Sequence, residues 1–137
     1  LRNTFYRWLN ANELNSPNMF ATIATQAAFR HGEEWRLEML SYVEENIRFL
    51  EDFCHKNIPQ IVPVRPQASY LVWLDCRGLE LEQDKLVSLF VDQASLALND
   101  GSIFGQEGNG FMRLNVGCPQ SVLRQAFEQL RLAVNKR

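Results

Sequence analysis

The run Phe111-Met112-Arg113-Leu114-Asn115-Val116 sets a guanidinium and a side-chain amide two residues apart in a stretch that reads as a β-strand. Side chains alternate across a strand, so Met112, Leu114 and Val116 point to one face and Arg113 and Asn115 to the other. The first set reads as core. The second offers a planar, permanently charged fork that takes a carboxylate bidentately, with Asn115 as a supporting group. Two plainer uses of Arg113 stand beside this one: a surface arginine and a structural ion pair. Immediately before the strand come Gly101, Gly105, Gly108 and Gly110 within ten residues. The segment has neither a GxxxxGK[ST] pattern nor a GxGxxG between strand and helix, so it reads as a turn-rich connection and not as a phosphate cradle. Close approach of its backbone to a ligand stays open.

Other chemistry has less support. There is no GxSxG, and neither His31 nor His55 has a local Ser or Cys partner. Cys54, Cys76 and Cys118 are odd in number and widely spaced without CxxC, which predicts reduced thiols and neither a disulfide framework nor a metal site. Tyr70 can hydrogen-bond a ligand, although a strand tyrosine more often packs. Trp8, Trp35 and Trp73 read as core or interface. The three lysines, Lys56, Lys85 and Lys136, end a helix, sit early in a charged helix and lie in the C-terminal tail. None occupies the apolar or Gly-rich setting that Schiff-base chemistry uses.

The elements that would position these groups follow from periodicity. The first dozen residues predict a short helix with Leu1, Phe5, Trp8 and Leu9 on one side. Ser16 as cap and Pro17 as first helical residue predict a second helix to about Arg30. Its Ala21, Ala24, Ala27 and Ala28 share a face suited to close packing. After His31-Gly32 a long helix runs from about Glu33 to Lys56, roughly 36 Å at 1.5 Å per residue. Leu40, Val43, Ile47, Leu50 and Cys54 form its buried stripe. Its acidic start and basic end suit the helix dipole, and Glu44 with Arg48 makes an i,i+4 pair. Strands follow at Ile61 to Val64 and Ser69 to Asp75. A helix from about Glu82 to Ala94 has Leu86, Leu89, Phe90 and Gln93 aligned. A short strand is expected at Leu96 to Leu98, then the strand with Arg113. Pro119 starts the last helix, with Leu123, Ala126, Phe127, Leu130 and Val134 as its stripe. Helices, then β-β-α-β-β-α, predict an α+β fold with helices packed on one face of a small, mostly antiparallel sheet.

Composition agrees with a folded domain: 137 residues, 46% hydrophobic, 22% charged and a net charge of −2. That balance excludes wholesale disorder and argues against a nucleic-acid or anionic-membrane surface. No apolar stretch approaches the ~20 residues of a membrane span, and the N-terminus does not read as a signal peptide. A cytoplasmic protein is expected. The chain begins at Leu1 and not at Met, which suits cleavage or a segment of a longer protein.

Several blocks together resemble the C-terminal portion of class I/II aminotransferase-fold enzymes that depend on pyridoxal phosphate (PLP), and more narrowly the MalY/PatB branch of cystathionine β-lyase-like C–S lyases. They are Pro17-Asn18-Met19-Phe20 leading to Thr25-Gln26-Ala27-Ala28-Phe29; Gly32-Glu33-Glu34-Trp35; Tyr42-Val43-Glu44-Glu45-Asn46; Pro66-Gln67-Ala68-Ser69-Tyr70-Leu71-Val72-Trp73-Leu74-Asp75; Gly101-Ser102-Ile103-Phe104-Gly105; and Gly110 through Pro119. The last block and the Tyr-Leu-x-Trp-Leu-Asp strand are the most specific. The similarity covers nearly the whole chain.

The resemblance implies that Arg113 binds the α-carboxylate of an amino-acid substrate and that the loop with Gly101, Phe104 and Gly105 lies near the mouth of the active site. It implies a small C-terminal domain over 33–137, preceded by a helical segment, 1–32, that packs on the protein's own large domain, and a homodimeric parent. The family's PLP lysine, the aspartate for the pyridine nitrogen and the phosphate-binding residues belong to that large domain and have no counterpart here. No catalytic, cofactor-binding or metal residue is therefore expected within this chain, which by itself should be inactive. A free-standing module that binds a small carboxylate, or one that dimerises through the alanine face, is the alternative.

Overall fold

The computed structural model describes residues 1–14 and 18–136. The chain divides into two compact units, Leu1–Met39 and Leu40–Arg137. The first holds α1 (Arg2–Ala11), α2 (Met19–His31) and the start of α3 (Glu33–Asn57). The Asn18 side chain accepts the Phe20 N–H at 3.0 Å and caps α2, satisfying one of the N-terminal donors that a helix leaves open. The expected cap Ser16 and start Pro17 lie outside the described residues. Gly32 separates α2 from α3 because a Cβ there would sit 2.5 Å from the Ala28 carbonyl oxygen. No residue of α1 or α2 is buried. Phe5, Trp8, Met19, Phe20, Ile23 and Phe29 are all exposed.

The second unit contains the core. Its elements are the rest of α3, β1 (Val62–Val64), β2 (Leu71–Asp75), α4 (Gln83–Ser88), β3 (Asn99–Asp100), β4 (Phe111–Asn115) and α5 (Gln120–Asn135). The strands form one antiparallel sheet in the order β1-β2-β4-β3, the α+β architecture expected. Val72 and Leu74 of β2 and Met112 and Leu114 of β4 are buried. So are Val43, Ile47, Leu50 and Cys54 of α3, Leu86 of α4, and Leu123, Phe127 and Leu130 of α5. Phe53 of α3 meets Phe127 of α5 edge to face at 5.9 Å between centroids, a favoured aromatic geometry.

Four local expectations are corrected. The α3 stripe does not include Leu40, which is 46% exposed, and it does include Asn46, which is 0% exposed. The helix expected through Ala94 ends at Ser88 and continues as a π turn, Leu89–Gln93. The Ala94 N–H bonds the Leu89 carbonyl at 3.0 Å. The wider turn holds one more residue than an α turn, so Ala94 is buried in place of Gln93. Leu96 to Leu98 is not a strand: the Leu96 N–H goes to the Phe90 carbonyl at 2.8 Å, and pairing with β4 begins at Asn99. Finally, β2 starts at Leu71, two residues later than expected, because Ser69 turns at φ +77°.

Glu44 accepts from Arg48 at 2.8 Å, the expected i,i+4 pair, and also from Arg65, which reaches Glu51 at 2.6 Å. Arg48 and Arg65 are exposed and the two glutamates partly so, and pairs of this kind contribute little to stability. The three cysteines are free. Burial pushes the Cys54 thiol up to about 12 and raises Cys76, helped by neighbouring Asp75 and Cys54. Among the described residues no helix is long and apolar enough to cross a membrane.

Candidate functional site

The alternation of β4 sends Arg113 to the face opposite the core, where it lies directly across from Trp73 of β2 and Asn99 of β3 in the sheet register. Its Nη2 donates to Asn99 Oδ1 at 2.9 Å. Its guanidinium sits over the Phe104 ring, 4.5 Å from the centroid, a cation–π contact. Phe104 in turn meets Trp73 edge to face at 5.3 Å, and Trp73 meets Phe111 at 6.2 Å. The guanidinium is thus held by a neutral amide and an aromatic face.

No acidic side chain is within ion-pair distance of Arg113 among the described residues. Arg36, Arg48, Arg77 and Arg131 each have one, and Arg65 has two. The Arg113 Nε is buried with no hydrogen-bond partner. An orphaned buried donor costs about 1–3 kcal/mol. Arg113 is among the residues that line a cleft of about 350 Å³ between the end of β4 and α5, together with Asn99, Asn115, Cys118 and the core side chains Leu114, Leu123 and Phe127. Burial raises the Cys118 thiol, so the one sulfur in this cleft is a poor nucleophile at neutral pH.

The glycine-rich connection places Phe104. Asp100 Oδ1 accepts the Ser102 N–H at 2.8 Å and caps a 3₁₀ turn, Gly101–Phe104. Gln83 of α4 braces the same connection, donating to Asp100 Oδ1 at 2.5 Å and accepting the Gly110 N–H at 2.7 Å. Burial opposes ionisation of Asp100, but the contacts from Ser102 and Gln83 outweigh it and hold its carboxyl below the ordinary value. Gly101 is buried, and a Cβ on it would lie 2.2 Å from the Gly108 carbonyl and 2.5 Å from that of Phe111. Gly105 turns at φ +127°, a conformation that L side chains rarely adopt.

Of the residues singled out from the sequence, Arg113 and Phe104 are brought into contact. Gly101 and Gly105 shape the loop that carries Phe104. Asn115 shares Arg113's face, but its Oδ1 is engaged by the Gly117 N–H at 2.8 Å. Tyr70 is 48% exposed; its carbonyl accepts the Val116 N–H at 2.9 Å, and its ring lies beside Gly117. Sequence reasoning missed Asn99 and Gln83, and read Trp73 as core or interface without placing it opposite Arg113. The alternation of β2 was enough to put Trp73 on the open face. Nothing local marks Asn99, which meets Arg113 only through strand pairing.

No family model matches the chain. Two curated relatives are cystathionine β-lyase PatB of Bacillus subtilis, 33% identical over 134 residues, and protein MalY of Escherichia coli, 34% identical over 117. The match covers 98% of this chain and 35% of PatB, and 85% of this chain and 30% of MalY. A PLP-bound protein from Clostridium difficile 630 superposes with a TM-score of 0.88 at 33% identity, over 94% of this chain and 33% of that one. Cystalysin from Treponema denticola, which contains PLP, gives 0.82 at 26% identity, over 96% and 34%. The chain spans about a third of the length of the curated relatives it matches, and the matched part is their C-terminal portion. It has the α+β fold of the small domain of these enzymes. The chain is similar over nearly its whole length to the C-terminal third of the MalY/PatB branch of the aminotransferase-fold proteins.

Proposed function

We propose that this chain is the substrate-carboxylate-binding domain of a PLP-dependent C–S β-lyase or aminotransferase acting on amino acids. The observation that carries this reading is the uncompensated charge of Arg113, set over Phe104 beside a cleft and without an acidic partner. The relatives' names supply the reaction class and the cofactor. Arg113 would take the α-carboxylate across its fork and so fix the orientation of the substrate's Cα. The exposed apolar side chains of residues 1–32 support packing on a large domain, with 33–137 as the small domain and a homodimer as the working assembly.

The lysines do not fit a Schiff base. Lys56, Lys85 and Lys136 are all exposed, and none lines the cleft with Arg113. These residues do not by themselves hold PLP, and the 137-residue chain alone is expected to turn over no amino acid.

The test is Arg113→Gln in the full-length protein, with L-cystathionine as the first substrate. Losing a bidentate, partly desolvated carboxylate contact costs about 2–4 kcal/mol, a fall in kcat/KM of roughly 30- to 1000-fold. Competitive inhibition by butanoate should weaken in parallel, and inhibition by butylamine should not. Equal losses for both inhibitors, or no loss, would refute the assignment.

A further inference from the structure

Three backbone polar groups just beyond β4 have no partner in the sheet or in α5. They are the carbonyls of Val116 and Cys118 and the N–H of Gln120, one of the first donors of a helix that has no intrahelical acceptor. All three are taken up by two side chains of α3. Asn46 Nδ2 donates to the Val116 and Cys118 carbonyls, at 2.9 Å each. The Tyr42 hydroxyl oxygen accepts the Gln120 N–H at 2.8 Å. Tyr42 and Asn46 are four residues apart and so share one helix face.

Asn46 is fully buried, and its Oδ1 has no partner. A leucine would fill such a position without an orphaned acceptor, so what the amide contributes is its two N–H groups. The turn they hold starts three residues after Arg113. It is also fixed by the Val116 N–H on the Tyr70 carbonyl and the Gly117 N–H on Asn115. The Arg113 side chain has a single hydrogen bond and one ring contact among the described residues. The turn thus adjoins the strand whose pairing with β2 and β3 carries the guanidinium.

We infer that Tyr42 and Asn46 are positioning residues for substrate binding: a two-point clamp from α3 that holds the exit of β4 and so sets where Arg113 meets a carboxylate. The inference rests on the carboxylate-binding role proposed for Arg113. A misplacement of about 1 Å can cost on the order of 100-fold in a reaction that depends on orientation, so a clamp outside the ligand's reach can still govern binding.

The experiment uses the full-length holoenzyme with Tyr42→Phe, Asn46→Ala, Arg113→Gln and both double variants with Arg113→Gln. Tyr42→Phe removes one oxygen and keeps the ring, so it guards against loss of folding in Asn46→Ala. The expected result is a rise in KM for L-cystathionine and in the inhibition constant of butanoate, about 3- to 10-fold for Tyr42→Phe and about 10- to 100-fold for Asn46→Ala. The kcat and the inhibition constant of butylamine should change less. In the Arg113→Gln background both clamp substitutions should have no further effect on butanoate. A clamp variant that weakens butanoate and butylamine equally, or whose effect adds in full to that of Arg113→Gln, would show a general structural role and overturn the inference. If Arg113→Gln itself fails to separate the two inhibitors, the carboxylate-binding role falls, and the clamp falls with it.

Discussion

One sheet has two faces with opposite tasks, and neighbouring residues serve them. On β4, Met112 and Leu114 are buried in the core while Phe111 and Arg113 stand half-buried on the other side. On β2, Val72 and Leu74 go inward while Leu71 and Trp73 go outward. The inward set shares the core with the stripes of α3, α4 and α5. The outward set carries an aromatic cluster and a cation without a countercharge. Parity along the strand thus separates stability from chemistry: a change at one position should cost folding, and a change at the next should cost binding. A similar contrast divides the two units. The helices of 1–32 expose their large apolar side chains, whereas among the described residues the buried apolar ones all lie from Val43 onward.

The largest effect should come from the inward face. Phe127→Ala leaves a cavity in the core and should lower the unfolding free energy by about 3–5 kcal/mol in urea titration; a change below about 1 kcal/mol would mean that the core is not where α5 meets α3. The Arg113→Gln substitution should do the reverse, leaving the melting temperature nearly unchanged while binding collapses. Gly101→Ala comes next. Its Cβ meets two carbonyl oxygens, so the loop must shift, at about 1–3 kcal/mol; proteolytic susceptibility of the 100–110 connection reads this out, and an unaltered cleavage rate would contradict the tight packing. Phe104→Ala removes the ring under the guanidinium and should weaken butanoate inhibition by a factor of about 3 to 10, in line with a cation–π contact of about 1 kcal/mol.

The smallest effect is one of pH. The carboxyl of Asp100 titrates below its ordinary 3.8 in the folded chain. A depressed carboxylate stabilises fully above its unfolded value and loses that contribution as pH falls through its folded one. The Gly101–Phe104 turn should therefore hold at pH 5 and loosen only below about pH 3.8. The Trp73 indole resonance, which sits against Phe104, should shift in that window, and Asp100→Asn should abolish the shift.

Much of this was legible in the chain itself. The stripes Val43, Ile47, Leu50, Cys54 and Leu123, Phe127, Leu130, Val134 follow helical spacing and are buried. The two faces of β4 follow from alternation. What was not legible has specific causes. A π turn after α4 moves the inward position by one residue, and no local signal announces the extra residue. The strand expected at Leu96 to Leu98 gave way because the Leu96 N–H is already taken by Phe90.

Local periodicity depends only on the repeat of the backbone, so the sequence by itself determined which residues share a face, Arg113 among them. Which distant residues meet across those faces was decided by tertiary structure. Asn99 is 14 residues from Arg113, Phe104 stands behind two tight turns, and Asn46 is 70 residues from the carbonyl it holds. Such contacts form only when the intervening chain is closed into one register, and that register is selected by burying the whole core at once.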